Sequence, residues 1–176
     1  MIVMTPDTEY KPTENDVCVF LAGGITGCPD WQKEIIKKLD DRCNTATLVV
    51  MNPRRENFPI HDPHAARDQI AWEYKNLERA DIFSMYFCES VSDQPICMYE
   101  LGRNLLRMQM RFPADWQNRI IISVEDGYTR KQDVLIQTDH ALEMDLVLTQ
   151  PCPEVLMDYH AAYIWKAYQK LRRFSG

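Results

Sequence analysis

The chain has 176 residues, 45% of them hydrophobic and 26% charged, and a formal net charge of -6. That length suits one domain whose core stands without disulfides or metals. No apolar run approaches the ~20 residues of a membrane helix. The acidic balance argues against a broad phosphate-backbone footprint, and the small clusters Arg54, Arg55 and Lys170 to Arg173 do not reverse it. A soluble protein with no nucleic-acid or membrane partner is the expectation.

The N-terminal MIVMTPDTEYKPTEND has no basic stretch followed by an apolar one, so neither a secretory signal nor a transit peptide is read there, and a cytoplasmic setting is expected. Residues 1–15 mix Pro, Thr, Asp and Glu without a period and predict a flexible leader before a single domain over 16–176. Val17 to Leu21 reads as a strand ending at Gly23-Gly24. Trp31, Ile35 and Leu39 then share one face of a helix. Thr47 to Met51 is a second strand, Ala65 to about Ala80 a helix, Ile82 to Phe87 a third strand, and Pro95 to about Met110 a helix. Ile120 to Val124 is a fourth strand, Lys131 to Leu142 a helix and Leu146 to Leu148 a fifth strand. Leu156, Tyr163, Ala167 and Leu171 mark the apolar side of a terminal helix. Alternation of this kind predicts an α/β fold with a doubly wound, five-stranded parallel sheet covered on both faces.

Such sheets bind ligands beyond the carboxyl ends of their strands, near the point where strand order reverses. Three segments fall there: Gly23 to Gly27, Asn52 to Arg55, and the stretch leading to Tyr99-Glu100-Leu101-Gly102. Glu100 lies about a turn and a half into a helix that Pro95 can open, where the helix N-terminus favours an ionised carboxylate. The same residue also fits an ordinary acidic position near a helix start. Glu73 has Ala66, Ile70, Leu77 and Ala80 as its helical neighbours, which places a carboxylate within an apolar stripe. Burial there needs a partner or a task, although a stripe-edge Glu paired to an Arg fits the same spacing. Asp81 reads as structural.

Gly23-Gly24 permits close backbone approach to a ligand but matches neither the dinucleotide G-x-G-x-x-G pattern nor the G-x-x-x-x-G-K phosphate loop. Arg54 and Arg55 either hold an anion or are solvated, and Trp31 and Trp72 either stack on a base or pack. The six cysteines form no C-x-x-C pair, the four histidines show no metal-ligand spacing, and a G-x-S-x-G elbow is absent. Reduced thiols, no metal and no cofactor are therefore expected.

Five blocks in order, FLAGGITG at 20–27, NPRR at 52–55, QIAWE at 69–73, LERADI at 77–82 and YELGR at 99–103, resemble the nucleoside 2-deoxyribosyltransferase-like proteins. The resemblance implies a flavodoxin-like sheet, a homo-oligomer, and a nucleoside or nucleotide as small-molecule partner. It makes Glu100 the nucleophile that attacks C1′, forming a glycosyl-enzyme intermediate as in retaining glycosidases. Glu73 falls on the family's supporting carboxylate, while Gly23, Gly24, Asn52, Arg54, Trp72 and Gln94 would line the substrate pocket. Two positions depart from the pattern. Phe20 stands where the family commonly has a Tyr, and Gln94 stands where a base-protonating Asp often lies, leaving Asp93 as the expected acid. The phosphate-binding Ser and Arg of related monophosphate hydrolases are missing from GGITG, so a free nucleoside, or a ligand held by Arg54, fits better. A non-catalytic nucleotide sensor on the same sheet and a glycohydrolase acting on NAD are the alternatives.

Overall fold

In strand β2 (Val17–Gly23) every residue from Val17 to Ala22 is buried, as required of a parallel strand with helices on both its faces. The computed structural model describes residues 1–8, 10–59 and 61–174. Around β2 it arranges β1 (Ile2–Met4), β3 (Leu48–Met51), β4 (Ile82–Phe87), β5 (Ile120–Val124) and β6 (Val147–Leu148) in one parallel sheet of order β1-β3-β2-β4-β5-β6. The flavodoxin-like class holds, with six strands rather than five.

The extra strand lies within residues 1–15, the stretch read from the sequence as a leader before the first strand. Ile2, Val3 and Met4 pair in register with Val49, Val50 and Met51, and the Asn52 amide extends the ladder by donating to the Met4 carbonyl at 2.8 Å. Beyond the strand, Arg55 reaches the Asp7 carboxylate at 3.5 Å, and Tyr10 donates to Asp16 at 2.9 Å. Three residues show no periodicity that separates a strand from an irregular stretch, which is why the edge strand was not visible in the sequence.

Alternation splits the core into two layers. Cys18, Phe20 and Ala22 point with Phe83, Met85 and Phe87 toward α2 (Ala65–Arg79), α3 (Pro95–Arg111) and α4 (Lys131–Leu142). Val19, Leu21 and Tyr86 point the other way, against α1 (Trp31–Asp40) and α5 (Pro153–Phe174). The inner stripe of α5 is Leu156, Ile164, Ala167 and Leu171, with His160 among them, whereas the expected Tyr163 is 44% exposed. Asp81 caps the sheet, its carboxylate accepting the Cys18 amide at 3.0 Å. Among the described residues no helix is long and apolar enough to cross a membrane.

His160 is fully buried between two strand hydroxyls, with Nε2 at 2.6 Å from Ser84 Oγ and Nδ1 at 2.7 Å from Ser123 Oγ. Burial pushes its pKa down from the ordinary 6.5 to about 3, so the imidazole is neutral, one hydroxyl donating to it and the other accepting from it. The unfolded chain therefore takes up this proton first on acidification, and stability falls as pH drops from 6.5 toward 3. Replacement His160→Ala orphans both hydroxyls and opens a cavity, and is expected to cost about 3–5 kcal/mol in urea unfolding at pH 7.5. The variant also loses its share of the acid slope, so the wild-type advantage shrinks toward pH 4. An advantage independent of pH contradicts a neutral buried imidazole.

Candidate active site

The strand order reverses between β3 and β4, on either side of β2, and the carboxyl end of β2 is shaped by two glycines. Gly23 has φ +149, and a Cβ there would lie 2.3 Å from the Tyr86 carbonyl oxygen and 2.5 Å from the Trp31 ring. A Cβ on Gly24 would lie 2.3 Å from Cys28 Sγ and 2.7 Å from Gln94 Oε1. Only glycine lets the chain pass this closely under both neighbours. Trp31 stacks on Tyr86 at 5.1 Å and donates from its indole to the Gly24 carbonyl at 2.9 Å, fixing the turn from below.

Across from the turn, α3 begins at Pro95 after Gln94, whose backbone is left-handed (φ 48, ψ 51). Gln94 is 3% exposed: its Nε2 donates to the Cys88 carbonyl at 2.8 Å, while its buried Oε1 has no partner. From this start the helix carries Glu100 back over the end of β2. Helix α2 brings Glu73 to the same place, and Gln69, one turn earlier, donates from Nε2 to both Glu73 Oε1 and the Pro53 carbonyl at 2.7 Å. Phe20, Gly23, Gly24, Glu73, Gln94 and Glu100 thus share one cavity of about 200 Å³.

Its electrostatics follow from two carboxylates in a poorly solvated space. Burial, then the neighbouring Glu73 charge, push Glu100 up to about 7, with Arg103 pulling the other way. Burial also raises Glu73, opposed by the Gln69 hydrogen bond. The expectation that the helix N-terminus keeps Glu100 ionised is therefore reversed on balance, because desolvation and a like charge outweigh the dipole. Nor does the apolar stripe account for Glu73, since Ala66 and Ile70 are exposed and only Leu77 and Ala80 are buried. The environment of Glu73 is the cavity.

Gly23, Gly24, Glu73, Gln94 and Glu100 converge as the sequence predicts, and four other candidates do not line the cavity. Asp93 is exposed, its carboxylate accepting from Thr129 Oγ1 at 3.0 Å, because the left-handed turn at Gln94 points the two adjacent side chains apart. Asn52 accepts the Arg54 amide at 3.0 Å within its own loop. Arg54 is consumed as a brace: its guanidinium donates to Gln32 Oε1 at 3.0 Å and the Pro29 carbonyl at 2.8 Å and pairs with Asp30 at 3.3 Å. Trp72 packs on Phe20 with ring centroids 6.0 Å apart, behind the cavity wall. Gln69 was missed, although its i,i+4 spacing to Glu73 inside QIAWE was a usable signal; Ser92, Ile96 and Cys97 in the wall had none. Among the described residues no group of three or more His, Cys, Asp or Glu is placed to hold a metal ion.

A family model described as nucleoside 2-deoxyribosyltransferase like matches residues 16–112, just over half of the chain, and the match contains every residue of this cavity. No curated protein matches the chain.

A carboxyl whose pKa is raised on folding holds its proton more tightly in the folded state. The cost of ionising it is absent below the ordinary 4.5, grows as pH rises, and is complete above about 7. Glu100→Gln is accordingly expected to raise Tm by a few degrees at pH 8, roughly 2–4 °C per kcal/mol relieved, with the gain fading toward pH 4.5. Calorimetry at the two pH values checks this, and a gain of equal size at both contradicts it.

Proposed function

Because the chain belongs to the nucleoside 2-deoxyribosyltransferase-like family, we propose that it cleaves or transfers at the N-glycosidic bond of a nucleoside or deoxynucleoside, with Glu100 as nucleophile. The observation that supports this reading is the convergence of Glu100 and Glu73 on one cavity at the switch point, where burial and like charge raise the Glu100 pKa. Ionised Glu100 attacks C1′ as the bond to the base breaks, through an oxocarbenium-like transition state, and gives a glycosyl ester. Water or a second base then displaces the carboxylate. Glu73, held by Gln69, positions the sugar and Glu100 and sets the pH at which Glu100 ionises.

Phe20 offers no hydroxyl to orient the nucleophile and Gln94 no proton to the leaving group, which supports a second reading, a nucleotide sensor that binds without turnover. Calorimetric binding of nucleosides without release of free base would favour it.

A homo-oligomer is part of the same proposal. Ile70 and Tyr74 on α2 and Ile96, Tyr99, Leu106 and Met110 on α3 are all more than half exposed, large apolar side chains of the kind that mark an interaction surface when they lie together. Sedimentation is expected to find a dimer or larger species that Tyr99→Glu combined with Met110→Glu dissociates, and a monomeric wild-type protein contradicts this.

For the chemistry, Glu100→Ala and Glu100→Gln are expected to lower base release on the order of 10³-fold or more while the protein stays folded. In the wild-type protein kcat/KM rises with pH and levels off above about 7 as Glu100 ionises. Removing the like charge with Glu73→Gln moves that acid limb to lower pH. Base release undiminished in the Glu100 variants would sink the mechanism, and an acid limb unmoved in Glu73→Gln would remove Glu73 from its role.

A further inference from the structure

Beyond the two glutamates, the cavity wall contains a feature that the reaction as so far described leaves unused. Gln94 lines the cavity and is 3% exposed, its amide nitrogen is committed to the Cys88 carbonyl, and its Oε1 is a buried acceptor with no donor, close over Gly24. A buried acceptor of this kind is unfavourable unless something satisfies it. Among the described residues that line the cavity none is positively charged, and the ionisable ones are Glu73, Glu100 and Cys97. Burial, and then the Glu100 charge, push the Cys97 thiol up to about 12, so it keeps its proton. Glu73 accepts a hydrogen bond from Gln69 Nε2 at 2.7 Å, which favours its ionised form. An in-line displacement expels the base from the face of the sugar opposite Glu100. Apart from these two carboxyls, the described residues of the wall include no carboxylic acid for a departing base, and they include no cation.

We propose that the substrate of this cavity is an N-glycoside whose base is already positively charged, an N-alkylated purine nucleoside or an N-glycosyl pyridinium, with an N–H group of the base donating to Gln94 Oε1. The inference rests on the assignment of Glu100 as nucleophile. A Glu100 oxygen forms a bond to C1′ while the C1′–N bond breaks. The electron pair of that bond goes to the ring nitrogen and cancels its positive charge, so the base leaves neutral and needs no proton. Water then attacks C1′, the glycosyl ester opens, Glu100 regains its charge and one proton passes to solvent. The bound cation also supplies a counter-charge inside the cavity and favours ionised Glu100.

The test measures base release by the wild-type protein and by Glu100→Gln at pH 7.5. Nicotinamide riboside and 7-methylguanosine are compared with guanosine, inosine and their 2′-deoxy forms, each corrected for its rate in buffer. Since a general acid contributes about 10²–10⁴-fold and neutral bases would have none here, kcat/KM for the cationic substrates is expected to exceed that for the neutral ones by about 10²-fold or more, and to collapse in Glu100→Gln. Comparable cleavage of neutral nucleosides that still requires Glu100 overturns the inference and leaves the nucleophile in place. Turnover that survives Glu100→Gln, or no turnover of any substrate, overturns both.

Discussion

Strand β2 is paired on both edges and covered on both faces, and this constraint decides where the molecule can keep a polar site. No side chain between Val17 and Ala22 can meet water, so solvent enters only where the strand stops. It stops at Gly23-Gly24, beneath the Tyr86 carbonyl and beside Gln94, in a conformation a larger residue would not fit. The cavity is the space left when a fully buried strand ends at a switch point and the two flanking helices α2 and α3 come in over it.

The acidic pair is costly because of that geometry. A carboxylate near a helix start is normally eased by the dipole, but the effect is modest and decays within a turn. Desolvation and a second carboxylate act in the opposite direction and are larger. The fold offsets part of the cost through Gln69, which holds Glu73 against the Pro53 carbonyl, and through Arg103 near Glu100. A protein selected for stability alone would place glutamines at these two positions, which is the usual relation between a strained site and its scaffold.

Other polar groups that resembled site residues serve to hold the site's walls. Arg54 joins the β3 loop to the start of α1 and to the turn after Gly24, and Trp31 fixes the same turn from the core. On the far face His160 bridges Ser84 of β4 and Ser123 of β5 to α5, satisfying two strand hydroxyls that alternation turns inward. These contacts leave the glycine turn little freedom, so the position of Gln94 over Gly24 is a fixed part of the cavity wall.

Local chemistry alone determined most of the fold: short apolar, β-rich runs located β2, β4 and β5, and the 3.6-residue period located the helices, because those signals lie within ten or so neighbouring residues. The five blocks ending in YELGR likewise picked out Glu100, Glu73, Gly23 and Gly24, and Gln94 followed from its place six residues before Glu100. Only the tertiary structure decided the remainder. The edge strand β1 exists because β3 offers it a partner, a fact absent from three residues read alone. Arg54, Asn52, Trp72 and Asp93 occupy the right loops and helices but turn to Gln32, the loop amide, Phe20 and Thr129, since a side chain's direction depends on partners distant in sequence. The balance at Glu100 was equally out of reach of the sequence: the helix start can be read from Pro95, but burial and the approach of Glu73 arise only when α2 and α3 pack over the end of the sheet.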